Sequence, residues 1–548
     1  DAAKSFWSLA GNSCVFISKT LLFDRFVKDL AASNGFQQAL KRLRDGKEAT
    51  PRSWVYENIQ DPNTILKMWS SHLENEDGDL KVIADWDLSK SDKFAPQGVV
   101  APFNDRQDTL SEYWAHLDSS SVFQDKAWIK AKAATVKDLG FNRSGRPRPV
   151  DAVIERGISE DKFNTSSGDP LFLKRHSDAA ISQARDAVDH GTWSQYYPVL
   201  GSRASMGKTG DKARWIFMFP MSVNLREQQF QQPLQEYIRT RNRSFFTPWE
   251  GWEETQKILS QYPDGVLKFG CDYSKMDQHF NFHHAKECYD VLKEYFQPKY
   301  HSDLLESIHY CFHCSVIAPD YLILGPHAMP SGSGWTNFLE TVFNYILLHY
   351  VRIKYGLKIN VDLSMGIGDD QIWAIEYEKG DEKKLTDFIV NIFNSVGLEA
   401  NSDKQEVGYN MISFLQRHCY RDWTGNTEMK WAGVYPTVRA LTSIIFPEFY
   451  HNSKDWDKQT FALQICMKLE NCNESPWFKE FVEFIGKGNA NIVEWALSDD
   501  AELLLTRNIA RKIPNFIPSY TQAEANIDPT RFASVRVLRE VFKGNKGA

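Results

Sequence analysis

Strand-like and helical patterns alternate along the chain, and the sharpest of them brackets Gly366-Ile367-Gly368-Asp369-Asp370-Gln371. Before it, Leu363-Ser364-Met365 alternates apolar and small polar positions; after it, Ile372-Trp373-Ala374-Ile375 is a β-branched and aromatic run. Two such runs around a Gly-Asp step predict a β-hairpin with two carboxylates at its tip. A second strand-like run, 266–271, ends at Asp272, and Trp215-Ile216-Phe217-Met218-Phe219-Pro220 and Phe414-Leu415-Gln416-Arg417 read as further strand pieces. Apolar residues at three- and four-residue spacing predict helices over 21–43, divided in two by Asn34-Gly35, and from Phe338 through Val342, Phe343, Ile346 and Leu347. Others are predicted over 385–396, 461–469, 501–513 and 530–542, and the pattern is mostly helical from about residue 430 onward. No internal repeat or low-complexity segment interrupts it.

With 548 residues, the chain has room for roughly three or four compact units. An aromatic content of 13% favours an ordered, well-packed protein. No run of eighteen apolar residues and no secretory leader is found, so no membrane-spanning segment is expected. The first residue is Asp1 rather than Met, from which we expect missing or processed residues. A net charge of −7 argues against a polyanionic partner for the surface as a whole, yet a local basic stripe is enough to bind one. Cys14, Cys271, Cys288, Cys311, Cys314, Cys419, Cys466 and Cys472 are too sparse for a disulfide scaffold and read as reduced, intracellular thiols.

Asp369 and Asp370 repel one another and are best tolerated where a cation lies between them and a third acid. Asp272 supplies that acid from a strand end, and Asp277 follows five residues later. Arg203, Lys208, Lys212 and Arg214 fall within twelve residues and lead into an apolar strand, which suits a phosphate-lined passage. A second basic group, Arg239, Arg241 and Arg243, closes a helix. Residues 164–170 form a small-residue turn whose backbone amides are free to meet an anion. The Pro- and Arg-rich segment 142–149 reads as an exposed basic loop, either a linker or a nucleic-acid contact. Met329-Pro330-Ser331-Gly332-Ser333-Gly334-Trp335-Thr336-Asn337 opens a helix with residues small enough for close backbone approach to a ligand. Lys404 ends a loop at 398–404. His309, Cys311, His313 and Cys314 read as a buried thiol-rich strand in preference to a zinc site, and His279 and His283 have helical spacing without a metalloprotease motif.

In order, the chain presents a basic strand, Asp-x4-Asp, a Ser-Gly loop with its helix, a Gly-Asp-Asp hairpin, a lysine loop and Phe-Leu-Gln-Arg. This order resembles the palm of viral RNA-dependent RNA polymerases, especially those of small double-stranded RNA viruses, first picobirnaviruses and next partitiviruses, over about residues 200–420. The resemblance implies an α/β multi-domain right hand with fingers, an antiparallel-sheet palm and a helical thumb. It divides the chain into an N-terminal region bridging fingers and thumb (1–65), fingers (66–260), palm with a fingers insertion near 290–325 (261–430), and thumb with C-terminal tail (431–548). It implies template-directed RNA synthesis from NTPs with two Mg²⁺ or Mn²⁺ ions held by Asp272, Asp369 and auxiliary Asp370, with Lys404 as general acid. Lys208, Lys212 and Arg214 then serve the triphosphate, and Asp277, Ser331, Gly332, Thr336 and Asn337 the nucleotide and its ribose. Thr165, Ser166, Ser167, Gly168, Arg203, Phe414, Leu415, Gln416 and Arg417 would meet RNA. One departure is Glu340, where many single-stranded RNA virus enzymes have asparagine. RNA, NTPs and a viral capsid protein are the implied partners, and the virion interior and host cytoplasm the implied locations. The alternatives are a reverse transcriptase, against which Gly368 stands in a place that usually belongs to an aromatic-x-Asp-Asp pattern, and a catalytically silent RNA-binding or packaging protein.

Overall fold

The computed structural model describes residues 16–18, 33–241, 244–319, 321–421, 430–449, 454, 456–517 and 527–543. The first of the two helices expected over 21–43 lies outside them, as do Cys14, Arg243 and the tail from 544. The strands are β1 (Phe16–Ser18), β2 (Val199–Arg203), β3 (Arg214–Met218), β4 (Leu267–Cys271), β5 (Val316–Ile317) and β6 (Tyr321–Ile323), followed by β7 (Ile359–Ile367), β8 (Asp370–Ile375), β9 (Glu406–Gly408), β10 (Met411–Phe414), β11 (Arg417–Tyr420) and β12 (Ala432–Val434).

An antiparallel sheet in the order β7-β8-β4-β9 forms the centre. Cys271 pairs with Gln371 and Ile367 with Asp370, so Asp272 and the Gly-Asp-Asp tip emerge at the same end. From Ile372 to Ile375 strand β8 is apolar without interruption because both of its faces are covered. Trp373 and Ile375 pack in one core with the helix Trp335–Tyr355, while Ile372 and Ala374 join Ile412, Cys419 and Trp431 in another. That long helix is buried all round from Phe338 to Val351 and ends at Gly356, whose φ of 68° needs no Cβ. A second sheet, β1-β6-β5-β2-β3, carries the basic strand; Trp215 and Phe217 point into its core, and Arg214, beside Arg203 across the ladder, faces out. Strands β10, β11 and β12 form a third.

Residues on both sides of the domain boundary expected at residue 66 share one core. Val55, Ile65, Trp69, Leu73, Ile83 and Phe94 are buried among Val438, Leu441, Phe461, Phe481 and their neighbours, so residues 55–94 belong to the C-terminal helical core. Helical periodicity reveals an apolar face but not which core it will join. Upstream, Phe36 and Leu40 of the helix Asn34–Asp45 pack against Val199, Ile317 and Leu322 of the second sheet. The chain therefore passes from one lobe to the other within its first hundred residues. Side chains stitch the same junction. Arg203 pairs with Glu448 at 3.1 Å, the Glu448 carbonyl accepts from Thr50 Oγ1 at 2.7 Å, and Arg511 meets Asp161 at 2.9 Å.

The helix Thr437–Ile445 follows Pro436 and has no cap of its own. Asp87, fully buried, replaces it. Its Oδ2 accepts from Thr437 N and Oγ1 at 2.9 and 2.7 Å, and its Oδ1 from Val438 N at 2.9 Å. Asp87→Ala leaves two buried N–H groups unpaired and should lower stability by about 2–5 kcal/mol, read as a lower urea midpoint. Burial, against these hydrogen bonds, raises the Asp87 carboxyl from 3.8 to about 6. Its ionisation therefore opposes folding, and this contribution to stability declines as pH rises between those values.

Candidate active site

Asp272 leaves the end of β4, and its backbone is clamped by one side chain. Gln405 Oε1 accepts from Asp272 N at 2.9 Å and Gln405 Nε2 donates to Asp272 O at 2.7 Å. The Gly-Asp-Asp tip is fixed from the long helix, where Thr341 and Asn344 share a face. Gly368 N donates to Thr341 Oγ1 at 2.7 Å, and Asn344 Nδ2 donates to Gly368 O at 2.9 Å. Asn344 Oδ1 accepts from Tyr273 OH at 2.8 Å, and that hydroxyl accepts from Gln371 Nε2 at 3.1 Å, closing a buried chain between the two acid-bearing segments. Gly368 has φ +58°, and Asn337 Nδ2 stands 3.2 Å from where a Cβ would lie.

Asp272, Asp369, Asp370 and Lys404 open onto one cavity of about 360 Å³ that the turn Phe414-Leu415-Gln416 also lines. Burial raises Asp369 to about 6 and Asp370 to about 7, with neighbouring carboxylates adding to the rise; Asp272 is raised by burial, partly offset by Lys404. Among the described residues no three His, Cys, Asp or Glu side chains form a ready metal cage. The expected trio shares a cavity, but Asp370 Oδ2 accepts from Leu415 N at 2.9 Å and so also anchors a turn. The donor set nonetheless fits a hard divalent cation, which takes one or two carboxylates and leaves positions for substrate phosphates. Such an ion would relieve the repulsion that adds to burial in raising Asp369 and Asp370.

A neighbouring cavity of about 830 Å³ is lined by Arg203, Lys208, Lys212, Arg214, Asp277 and Ser331, together with Lys275, which sequence reasoning missed. Asp272 and Asp277 thus face different cavities despite being five residues apart. Ser331 Oγ donates to Trp215 O at 3.0 Å. Glu340 is buried behind Asp277; burial first, then the Asp277 charge and their hydrogen bond, push its carboxyl up. Asn337 Oδ1 accepts from Trp249 Nε1 at 2.9 Å, which leaves its Nδ2 beside the hairpin tip.

Several expected ligand contacts are internal. Thr336 Oγ1 donates to Pro330 O at 3.0 Å, closing the loop, and Gly332 packs against the backbone of Phe217. In the turn at 164–170 the amides are not free: Ser167 N donates to Leu173 O at 2.6 Å and Gly168 N to Ser166 Oγ at 3.2 Å, while Ser167 is buried and Thr165 is exposed. The strand expected at 414–417 is a two-residue hairpin turn, with Leu415 and Gln416 at φ 53° and 65°. Arg417 is turned inward. It is 5% exposed, donates to Gly433 O and Asn471 O at 3.1 and 3.3 Å, and lies 3.6 Å from Glu474. In the basic loop, Arg143 and Arg148 are paired with Glu294 and Glu236, which makes the segment a strut. His309, Cys311 and His313 lie on the helix His301–His313, not a strand, and Cys314 caps its end; Cys311 and Cys314 are buried, and the His309 and His313 rings stack on the outer side. His279 and His283 sit on separate helices.

Sequence reasoning noted Glu340 only as a departure and missed Thr341, Gln371, Gln405 and the role of Asn344. A signal was available at 340, 341 and 344, which are polar positions in the buried stretch 338–351, a stretch apolar or aromatic elsewhere except at His349.

Residues 174–431 match a family described as viral RNA-dependent RNA polymerase. Over 475 residues, the chain is 26% identical to a "Potential RNA-dependent RNA polymerase" of a human picobirnavirus, covering 83% of this chain and 85% of that protein. It is 22% identical over 271 residues to an RNA-directed RNA polymerase of Cryptosporidium parvum virus 1, covering 47% and 48%. The fold is shared with the crystal structure of a human picobirnavirus RNA-dependent RNA polymerase at TM-score 0.75 and 21% identity, over 93% of this chain and 97% of that one.

Proposed function

We infer, from the premise that this chain is a viral RNA-dependent RNA polymerase, that it copies viral RNA into RNA from NTPs by two-metal-ion nucleotidyl transfer, in genome replication and transcription. The observation that carries this reading is the meeting of Asp272 and Asp369 in one cavity, next to a basic cavity that Asp277 faces. Asp272 and Asp369 would hold two Mg²⁺ or Mn²⁺ ions, with Asp370 auxiliary; in this chemistry the ions stabilise the attacking and leaving oxygens of an in-line displacement. Arg214 offers a two-pronged guanidinium to the triphosphate, with Lys208 and Lys212 beside it. Lys404 Nζ delivers a proton to the departing pyrophosphate. The turn 414–416 steadies the growing end through its hold on Asp370; the proposed protein partner is a viral capsid protein, and the proposed locations of this chain are the virion interior and host cytoplasm.

The test is incorporation of labelled NTPs on a short single-stranded RNA with Mg²⁺ or Mn²⁺. Template-dependent RNA product supports the reading. Product from dNTPs alone favours a reverse transcriptase, and RNA binding without product favours a silent packaging protein.

Asp277 and Asn337 are the proposed readers of the ribose 2′ hydroxyl. A site that hydrogen-bonds this group rejects the deoxy analogue because its polar atoms are otherwise left unpaired. Asn337→Ala should reduce NTP-over-dNTP preference about tenfold or more, measured as a ratio of kcat/KM values; an unchanged ratio would sink the assignment.

A further inference from the structure

Glu227 lies on the helix Met221–Thr240, is fully buried, and spends its carboxylate on the Ser-Gly loop. Its Oε2 accepts from Ser333 Oγ, and its Oε1 accepts from Gly334 N at 3.1 Å and from Asn224 Nδ2 at 2.8 Å. Asn224 Nδ2 also reaches Gly332 O at 3.4 Å, and Asn224 Oδ1 accepts from Arg175 Nη2 at 2.9 Å. Arg175 is built into the turn that resembles a template contact: its backbone N donates to Thr165 O at 2.9 Å and its Nε to Ser166 O at 3.1 Å. One hydrogen-bonded path therefore runs from residues 165–166 through Arg175, Asn224 and Glu227 to residues 332–334. Burying a carboxylate is costly, and burial raises this one to about 7 in spite of its three donors. None of the nucleotidyl-transfer roles assigned above uses it.

We propose that Glu227 is a positioning residue that holds the Ser-Gly loop in place for the incoming nucleotide, and that Asn224 and Arg175 couple this loop to RNA at the 165–168 turn. The inference rests on the polymerase reading for what the loop and the turn contact. Its first test does not. Hydrogen exchange at amides 333–336 of the full-length protein, without RNA, should be about tenfold faster in Glu227→Ala than in wild type, because Gly334 N–H loses its acceptor. Glu227→Gln should restore the wild-type rate: its carbonyl can accept from Gly334 and Asn224, and its amide can donate to Ser333 Oγ. In steady state, Glu227→Ala should raise KM for NTPs about tenfold with kcat changed less than about threefold, the pattern of lost binding geometry without lost chemistry.

The coupling is tested by adding a single-stranded RNA oligonucleotide, which should slow exchange at 333–336 in wild type and leave Asn224→Ala unaffected. Unchanged exchange in Glu227→Ala, or failure of Glu227→Gln to rescue, overturns the positioning role. Equal RNA effects in wild type and Asn224→Ala, or none in wild type, overturn the coupling. Should Glu227→Ala not fold, Glu227→Gln with wild-type exchange and Asn224→Ala with faster exchange at Gly334 decide the point. A wild-type protein that makes no RNA defeats the polymerase reading, while the exchange results still judge Glu227.

Discussion

Asp369→Asn should leave a folded protein whose incorporation of NTPs falls by at least about a thousandfold, equivalent to roughly 4 kcal/mol of transition-state stabilisation. The carboxylate sits at the hairpin tip, in the cavity that Asp272 shares. Asparagine keeps its shape and removes only the charge that a divalent cation needs. The tip is anchored by Thr341 and Asn344 through Gly368, not through the Asp369 side chain, so the fold should survive. Removing the charge also relieves the repulsion that, added to burial, raises Asp370, and an equal or higher melting temperature is expected. Single-turnover extension of a primed RNA, with melting curves of the same preparation, checks both halves; turnover within about tenfold of wild type would remove Asp369 from the chemistry.

Gly332→Ala should be the next most damaging change. A Cβ at this position would lie 1.5 Å from the Phe217 carbonyl oxygen and 2.7 Å from its carbon, and neither atom can swing away because both are strand backbone. The Ser-Gly loop must lift off β3, taking Ser331 from the basic cavity. A displacement of about 1 Å at a nucleotide-positioning element typically costs about a hundredfold in rate, and we expect at least that loss in kcat/KM for NTPs. Gly334→Ala is the comparison. Its added Cβ meets side-chain ends of Gln231 and Gln228 at 2.8 and 3.2 Å, which can rotate aside. A Gly332→Ala enzyme as active as Gly334→Ala would show that the loop does not need its seat on the strand.

The acids were legible because strand alternation stops at them on both sides, and their order along the chain reproduces that of a polymerase palm. Arg214 was legible for the same reason, as the exposed end of an alternating strand. Side-chain destinations were not. Arg417 follows an apolar run, as Arg214 precedes one, yet it is buried against Glu474; the difference lies in a partner some sixty residues away that no local pattern announces. The amides of 167 and 168 looked free because a turn sequence does not say what folds back over it. Residues 55–94 carry ordinary amphipathic spacing, and only the tertiary structure assigns their apolar face to the C-terminal helices. Thr341 and Asn344 carried a signal of their own, as polar residues in the largely apolar stretch 338–351.

The crossing of the first hundred residues between lobes, with Arg203, Thr50 and Glu448 on one seam and Asp161 and Arg511 on another, makes the molecule a strapped pair of lobes rather than a hinged clamp. Opening it means unpacking part of a hydrophobic core.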